Sequence, residues 1–584
     1  MNPEEITPKK RLWRLPFSEK VLDIIENFSL TEKVIFFSLA AILAISSISL
    51  LWQVNKLFLV EVPGYGGELT EGVVGLPRFV NPLLAISDID KDLTNLVYAG
   101  LLRVGEDGKL IEDLAETYSI SDDNLNYTFT LKDDIYFHDG VKVTADDVVF
   151  TITLASEPGL KSPRATNWDG VKVTKIDERT VEFSLKQPYS PFIQSTTLGI
   201  LPKHIWKSAS IEEFPFSQFN IKPIGAGPYK VDSIAYTGSG LPSEYRLVSF
   251  DKYSPGKAYI TNLTIKSYKS EEEALTAYKD GRIESLHNIR AENMASIQKN
   301  NNSIILYPLP RVFGIFFNQN NAPVLAHKEV RAALNIAIDR EEIIDQVLGG
   351  YGQAIDGPLP PKEVSLNTEV ATDEEKMERL QAAEKILIDA GWKKNESGIF
   401  EKKEKSQTTR LSFSISTGDV KELKETAMLL QKQWLALGAF VEVKIFEIGD
   451  LNQNIIRARK YDSLLFGEII GREMDLYPFW HSSQRNDPGL NIAMYTNLKA
   501  DKALENMRVT TDLAKQKSYF EQLATEIKKD IPAVFTYSPY FIYLIPEKVK
   551  NVSLGTLNTA SDRFNNIHKW HIETNFVWKI FANN

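Results

Sequence analysis

Residues 126–151, NYTFTLKDDIYFHDGVKVTADDVVFT, decide the fold class of this chain. The stretch begins with apolar and polar residues that alternate over 127–131, as is typical of a half-buried strand. Residues 138–140, His-Asp-Gly, supply a tight turn, because Gly tolerates positive φ and Asp can hydrogen-bond nearby backbone. Thr144 then precedes two acids in the segment 145–150, and a hydroxyl followed by acids caps the start of a helix. The stretch therefore predicts a strand, a turn and a capped helix, and it predicts no chemistry.

Short blocks on both sides of this stretch occur in the order found in one known family. Upstream lie GGELT at 66–70, NPL at 81–83, YAGLL at 98–102 and DLAE at 113–116. Downstream lie ILPKHIW at 200–206, PIGAGPY at 223–229, FN at 317–318, VRAALNIAIDR at 330–340 and AGW at 390–392. Together these blocks resemble the family 5 extracytoplasmic solute-binding proteins, the peptide and nickel receptors of ABC importers. The resemblance runs from about residue 66 to about residue 570.

This resemblance implies an α/β, periplasmic-binding-protein-like fold of type II, class C, with a three-lobed ectodomain that closes about a hinge. Before the ectodomain, the hydropathy of the sequence predicts one N-terminal transmembrane helix. The implied division is a cytoplasmic lead-in at 1–33, a transmembrane anchor at 34–52, domain I at 61–105 with 222–310 and 530–584, domain II at 106–221, and domain III at 311–529. The ligand cleft is expected between domains I and III.

The sequence of the third lobe fits this division on its own terms. Residues 374–390 and 420–437 show apolar residues at three- and four-residue spacing, the mark of amphipathic helices. Gly391 and Gly438 stand where such helices end. Residues 440–446 then alternate as a strand, so this region predicts helix, glycine and strand in series.

Composition places the chain among ordinary folded proteins. Its 584 residues are too many for one compact core, so two or three domains are expected. It is 43% hydrophobic and 25% charged, and its net charge of -10 gives no reason to expect nucleic acid as a partner.

One segment, residues 34–52, lacks any charged residue and is close to the length of about 20 residues that crosses a bilayer as a helix. Lys9, Lys10, Arg11 and Arg14 precede it, and positive flanks stay in the cytoplasm. The pattern predicts a single-pass protein of the cell membrane with a cytoplasmic N-terminus and most of the chain outside. A signal peptide is the alternative, although residues 52–56 offer no small-residue cleavage pattern. Residues 17–30 show roughly helical apolar spacing and either lie along the membrane face or form a solvated lead-in.

The chain contains no cysteine. It therefore cannot be tethered through an acylated cysteine, as many relatives in single-membrane bacteria are, and the N-terminal helix is expected to replace that lipid. Disulfides, thiolate catalysis and cysteine-ligated metals are excluded as well.

The resemblance also implies where a ligand binds. An extended peptide lies between a loop of the first domain and a strand of the third, and its backbone is hydrogen-bonded as an added strand would be. The matching loop is Ile86, Ser87 and Asp88, with an ordinary surface turn as the alternative. The matching strand supplies Phe466, Gly467, Glu468, Ile469, Ile470 and Gly471. The rest of the lining is expected from Arg472, Glu473, Asp475, Trp480 and His481.

The chain departs from the family at the position that binds the ligand's ammonium group. Gly471 stands where classical peptide receptors place an Asp, and Glu468 stands where they place a Trp. Glu468, Glu473 or Asp475 could supply the missing negative charge, with Glu468 the first choice. The alternative is that these acids are solvated loop residues. Trp480 and its aromatic neighbours are either cleft walls or packing between lobes.

The sequence predicts no enzyme, no cofactor and no metal site. His481 and Ser482 are adjacent, but no Ser lies in a GxSxG nucleophile elbow. The seven His are scattered without hydrolytic zinc spacing. The turn at 225–228 lacks the Lys of a phosphate loop, so ATP hydrolysis belongs to another subunit.

These inferences predict a monomeric, membrane-anchored receptor that captures short peptides and delivers them to an ABC permease with a separate ATPase. Two alternatives stay open. A receptor of the same fold could take another solute, such as a nickel chelate, an opine-like compound or an oligosaccharide. A tethered sensor or chaperone-like binder would have no transport role.

Overall fold

A computed structural model of the full chain describes residues 24–25, 27–294, 296–297, 302–365, 370–404, 407–471, 474–555 and 557–582. The chain forms two compact units. The first comprises residues 1–64 and 574–584, and the second comprises residues 65–573.

The strands are β1 Leu59–Pro63, β2 Glu68–Val74, β3 Leu102–Val104, β4 Leu110–Glu112, β5 Ala115–Ile120, β6 Asn126–Leu131, β7 Lys172–Lys175, β8 Thr180–Ser184, β9 Tyr229–Tyr236, β10 Pro242–Ser249, β11 Asn262–Tyr268, β12 Ser285–His287, β13 Asn302–Pro308, β14 Arg311–Phe317, β15 Gly352–Ala354, β16 Lys393–Lys394, β17 Phe400–Glu404, β18 Gln407–Arg410, β19 Ser412–Gly418, β20 Phe440–Phe446, β21 Ser463–Ile469, β22 Ala533–Pro546 and β23 Thr574–Trp578.

The α-helices are α1 Leu30–Phe58, α2 Asp88–Val97, α3 Ala145–Ala155, α4 Phe192–Ser195, α5 Lys203–Trp206, α6 Glu271–Lys279, α7 Ala291–Met294, α8 Lys328–Ile336, α9 Arg340–Leu348, α10 Asp373–Asp389, α11 Lys421–Leu437, α12 Ile448–Asp450, α13 Tyr477–Trp480, α14 Leu498–Val509 and α15 Leu513–Asp530.

The first unit consists of α1 and a two-stranded ribbon. Ser29 and Glu32 form a capping box at the start of α1, so the helix begins before the uncharged run and continues past it. Within the described part of the chain, α1 is the one helix long and apolar enough to cross a membrane, and none of its residues is buried. β1 pairs antiparallel with β23, and Trp578 Nε1 donates to Asn55 Oδ1 at 2.8 Å. Most of the predicted lead-in, including residues 17–23, lies outside the described residues.

The second unit is built around one long mixed sheet in the order β20-β19-β21-β14-β22-β12-β2-β11-β10-β9, with β13 and β15 also paired to β22. β22 joins the two halves of this sheet. Its first part pairs with β14 and β15, and its last part, from Tyr540 onward, pairs with β13 and β12. A separate sheet in the order β5-β6-β8-β7 has its own apolar core around Tyr127, Phe129 and Phe183.

The elements predicted from residues 126–151 are confirmed. Tyr127, Phe129 and Leu131 of β6 are buried and alternate with half-buried Thr, as the period of two requires. Gly140 has φ of 88°, which favours glycine at this turn. Thr144 and Asp147 form the capping box of α3, and the Asp147 carboxylate also accepts the Lys203 N–H at 2.8 Å. Helices α10 and α11 and strand β20 likewise confirm the pattern read from the third lobe.

Two chain segments that connect the halves of the long sheet lie side by side. β13 ends at Pro308 and β14 begins at Arg311, while β22 changes partners around Pro539. The Ser538 hydroxyl donates to the Leu309 carbonyl at 3.2 Å, which ties the two crossings together. Paired crossings of this kind are a natural hinge, because few backbone angles need to change for the halves to move. The domain boundaries read from the sequence stay predictions.

Candidate ligand-binding cleft

Two adjoining cavities define a cleft in the second unit. The larger has a volume of about 810 Å³ and the smaller about 610 Å³. Both are in the range of about 300–1,000 Å³ that is typical of ligand sites. Pro191, Gly471, Arg508 and Asn558 line both cavities, so the two are neighbouring parts of one cleft.

The larger cavity, here called the polar compartment, lies where the start of α2 faces the end of β21. Ala85 and Lys91, on either side of the predicted loop, line one wall, and Ile469 and Gly471 line another. Its remaining charged lining residues are Arg164, Asp169, Arg508 and Asp562. The structure therefore brings the neighbourhood of the predicted loop and the end of the predicted strand to the same cavity.

The predicted loop is held firmly by hydrogen bonds. Ser87 caps α2, and its hydroxyl lies 2.6 Å from Asp90 Oδ2 and 3.3 Å from the Asp90 N–H. Asp88 accepts from Asn288 Nδ2 at 3.1 Å, while Ile86 is 66% exposed. Burial lowers the pKa of Arg311, the register partner of Ile469, and the charge of Asp88 acts against this lowering. Asp88 of the loop and Arg311 of β14 thus interact electrostatically.

Strand β21 has an open edge next to the polar compartment. β19 pairs with Ser463 and Leu464 alone, whereas β14 pairs along the whole of β21. Among the described residues, the segment 466–469 consequently has a strand neighbour on one side and none on the other. Ile469 is 59% exposed at the end of this segment. An unpaired strand edge offers its backbone N–H and C=O groups to an added strand.

The remaining predicted residues of β21 do not line either cavity. A Cβ atom on Gly467 would lie 2.7 Å from the Phe313 ring, so this position packs against β14. Phe466 is half-buried, and Ile470 is fully buried in the same apolar cluster as Trp480. These side chains belong to the support of the strand rather than to the surface of the cleft.

Glu468 is buried on the opposite face of β21 from Ile469. It is 3% exposed, and neither carboxylate oxygen has a hydrogen-bond partner among the described residues. Burial raises the pKa of this carboxyl well above its ordinary value. Glu468 lines neither cavity, and its assignment as the ammonium anchor stays a prediction.

Asp475 reaches the cleft, but its charge is already paired. Both carboxylate oxygens lie 3.0 Å from Arg508 Nε, and Oδ2 lies 2.6 Å from Arg508 Nη2. The Tyr189 hydroxyl donates to the same oxygen at 3.2 Å, and the guanidinium stands 4.0 Å from the centre of the Tyr477 ring. Ser190 N–H donates to the Arg508 carbonyl at 2.7 Å. We call this set the Asp475–Arg508 bridge, and it joins the residues around 190 to helix α14.

Trp480 and His481 lie behind the cleft. Trp480 is fully buried and packs near Phe316, Tyr495 and Phe535. His481 is stacked on Tyr477, with 4.0 Å between ring centres. Its Nδ1 accepts the N–H of Ser483 at 3.1 Å, so the imidazole caps a turn. Arg472 and Glu473 lie outside the described residues.

Several lining residues were not predicted from the sequence. Arg164, Tyr189, Arg508 and Asp562 come from segments far apart in the chain, and no local motif marks them. Burial lowers the pKa of Arg164, and the charge of Asp562 opposes this. A basic residue held this way is a suitable partner for a ligand carboxylate.

One buried cluster has the composition of a metal site. Glu71, Asp92 and His287 bring their donor atoms within 4.8 Å of one another. However, the buried Arg563 guanidinium binds both carboxylates, with Nη1 2.9 Å from Asp92 Oδ1 and Nε 2.9 Å from Glu71 Oε1. Burial opposes ionisation of Asp92, but Arg563 and His287 outweigh it and hold the pKa of this carboxyl well below its usual range. The cluster therefore ties α2 to the sheet by an internal ion-pair network in which Arg563 already binds both carboxylates.

Comparison with known proteins agrees with this architecture. Residues 109–488 match the model of the bacterial extracellular solute-binding proteins, family 5 Middle. The oligopeptide-binding protein AppA of Bacillus subtilis (strain 168) is 30% identical over 518 residues, which cover 87% of this chain and 92% of AppA.

Solved structures show the same fold. The structure of AppA from Bacillus subtilis in complex with a nonapeptide superposes with a TM-score of 0.63 at 29% identity, covering 88% of this chain and all of that one. NikZ from Campylobacter jejuni, in complex with Ni(L-His), gives a TM-score of 0.64 at 26% identity and covers 86% of this chain and 99% of its own. The fold is thus the periplasmic-binding-protein-like α/β fold expected from the sequence. The chain belongs to the bacterial extracellular solute-binding proteins of family 5.

Proposed function

We propose that this solute-binding protein captures short peptides outside the cytoplasmic membrane and hands them to an ABC permease. The observation that carries the proposal is the open edge of β21, which ends at the polar compartment opposite the start of α2. An extended peptide can add to such an edge through main-chain hydrogen bonds. Main-chain bonds do not depend on side-chain identity, so they suit a receptor for many sequences.

The polar compartment has charged residues that can pair with the two charged ends of a peptide. Lys91 and Arg164 line it as cations, while Asp169 and Asp562 line it as anions. A zwitterionic ligand can therefore find partners of both signs in one cavity. Among the described residues, no histidine lines either cavity, so a nickel chelate would find no imidazole ligand from this part of the chain there.

Closure about the hinge would complete the site. The Asp475–Arg508 bridge and the hydrogen bond from Gln516 Nε2 to Ser190 Oγ at 2.9 Å connect opposite walls of the cleft. Such contacts stabilise a closed state, which a bound ligand then favours. The role is binding without chemical change to the peptide, and the ATPase is a separate subunit.

We further propose that α1 remains attached and holds a monomer at the outer face of the membrane. Its apolar length and the basic residues before it support a single span with a cytoplasmic N-terminus.

The test uses the full-length chain in lipid nanodiscs. Isothermal titration calorimetry with a pool of di- to octapeptides is expected to show saturable heat, and mass spectrometry should recover the peptides uncut. Ile469→Arg places a long cation on the open edge and should weaken binding at least tenfold. Ile445→Arg is the matched control, because Ile445 is also an exposed strand residue, at 41%, but lines neither cavity. Absence of peptide binding, or equal loss in both variants, would refute the proposal.

A further inference from the structure

We infer that the smaller cavity of the cleft selects an apolar side chain of the bound peptide, so that the preferred ligands are peptides carrying Leu, Met or Phe at one defined position. The inference rests on the proposed function and adds a specificity to it.

The lining of this cavity, here called the apolar compartment, is largely aliphatic and aromatic. Leu359, Met474, Leu504, Met507, Leu513 and Phe520 contribute to its walls. Methionine side chains adapt to differently shaped apolar partners because they are flexible and polarizable. The compartment is therefore suited to several large apolar side chains rather than to one shape.

Most charges at this compartment are satisfied within the protein. Asp475 is bound by Arg508 through the bridge described above. Asp107 lies 2.9 Å from Lys109, and Lys517 lies 4.0 Å from Glu521. An acidic side chain entering the compartment would lose hydration, which is costly. Of the lining cations, Lys109, Arg508 and Lys517 already have partners, which leaves Lys362 as the one without an ion pair among the described residues.

The route between the two compartments passes Gly471. This residue lines both cavities and carries no side chain. A peptide that follows the open edge of β21 past Ile469 meets the next lining residue at Gly471, beyond the buried Ile470. Successive side chains of an extended chain point to opposite sides, so one side chain can enter the apolar compartment while its neighbour stays in the polar one. The Asp475–Arg508 bridge stands between the two compartments, because Arg508 also lines both.

The expected selectivity is large enough to measure. Burying a Leu, Met or Phe side chain favours binding by about 10- to 100-fold over leaving it exposed. Main-chain recognition predicts no such difference at the other positions of the peptide.

The experiment measures Kd by calorimetry for a set of hexapeptides and the full-length chain in nanodiscs. One alanine-based peptide is changed to Leu or to Asp at each position in turn. We expect one position at which Leu binds at least tenfold more tightly than Asp, with smaller differences elsewhere. Met507→Lys should abolish or reverse this preference, since it puts an ammonium group in the apolar compartment.

Met428→Lys is the matched control, because Met428 is 53% exposed on α11 and lines neither cavity. It should leave the preference intact. If hexapeptides bind with no position favouring Leu, or if Met507→Lys leaves the preference unchanged, the inference is wrong and the peptide-receptor proposal stands. If no peptide binds, the proposed function fails and the inference fails with it.

Discussion

Glu468, predicted as the anchor of a ligand ammonium group, is a buried residue of β21 that lines neither cavity of the cleft. Its carboxyl is buried without a hydrogen-bond partner among the described residues, and its pKa is raised well above the ordinary value. Such a group is neutral in the folded protein at a pH where it would be ionised in the unfolded chain. The folded state therefore binds its proton more tightly than the unfolded state does.

The difference in proton binding between the folded and unfolded states fixes the sign of the pH effect on stability. Stability from the protonated Glu468 is fully present below the unfolded pKa, near 4.5, and is lost as pH rises toward the higher folded pKa. We expect Glu468→Gln to gain stability relative to the parent protein as pH rises from 5 to 8, because the amide has no proton to lose. Urea unfolding followed by tryptophan fluorescence at both pH values measures this.

Glu442→Gln is the control, since Glu442 lies on β20 of the same sheet with a side chain that is 61% exposed. Its stability difference should not change with pH in this way. A Glu468→Gln difference that stays constant from pH 5 to 8 would show that the carboxyl is not buried as described. Peptide affinity of the same variant tests the predicted ammonium anchor.

Residues of the cleft could be predicted only where the chain keeps a local pattern. The family resemblance predicted a ligand-facing strand at residues 464–471. The period of two within a strand puts Ile469 and Glu468 on opposite faces, but it does not say which face the ligand meets. Arg508 could not be predicted, since its role depends on Asp475 and Tyr189, which meet it only after folding. Trp480 lies in a hydrophobic cluster and lines neither cavity, and the sequence could not distinguish a cleft wall from packing between lobes at this position.

At the scale of elements, helix α2 carries the loop that borders the polar compartment. Its position depends on the Ser87 cap at one end and on the buried Asp92 to Arg563 ion pair within it. The sequence predicted a surface turn or a ligand loop here, and the structure shows a capped helix start beside the cavity. The partner switch of β22 near Pro539 was not anticipated, since the predicted domain boundary lies earlier, at residue 530.

Ser87→Ala tests the link between this cap and ligand binding. Loss of an N-cap hydroxyl lowers the free energy of unfolding by about 1 kcal/mol. We expect that loss together with a weaker peptide affinity, because the loop borders the cleft. Ser270→Ala removes the equivalent cap of α6, where Ser270 accepts the Glu273 N–H at 3.2 Å.

The two caps allow a direct comparison. Chemical denaturation should show similar destabilisation of both variants, whereas calorimetry should show reduced affinity for Ser87→Ala alone. Equal affinity in the two variants would mean that the start of α2 does not contribute to the ligand site.

At the scale of the whole molecule, the proposal that the N-terminal helix anchors the protein can be tested directly. We expect the full-length chain to stay with membranes through a sodium carbonate wash, and protease added to spheroplasts to digest the second unit. The variant with Leu43→Arg and Ile45→Arg should lose this retention, because each arginine costs about 2.5–3.5 kcal/mol at the centre of a span.

The substitution Leu435→Arg serves as control, since Leu435 is 54% exposed on α11 and its replacement should leave retention unchanged. A mature protein that begins after α1 and appears in the medium would identify α1 as a cleaved signal peptide instead.

The ribbon of β1 and β23 makes the C-terminus sensitive to N-terminal maturation. Trp578 Nε1 donates a hydrogen bond to Asn55 Oδ1, and its ring centre lies 6.2 Å from that of Phe58; both partners belong to α1. Proteolytic removal of α1 would remove both partners. Phe576 and Trp578, which are already 65% and 48% exposed, would then be more exposed to solvent. A form of this protein cleaved after α1 would thus expose apolar side chains at its C-terminus. The uncleaved form keeps β23 in contact with α1.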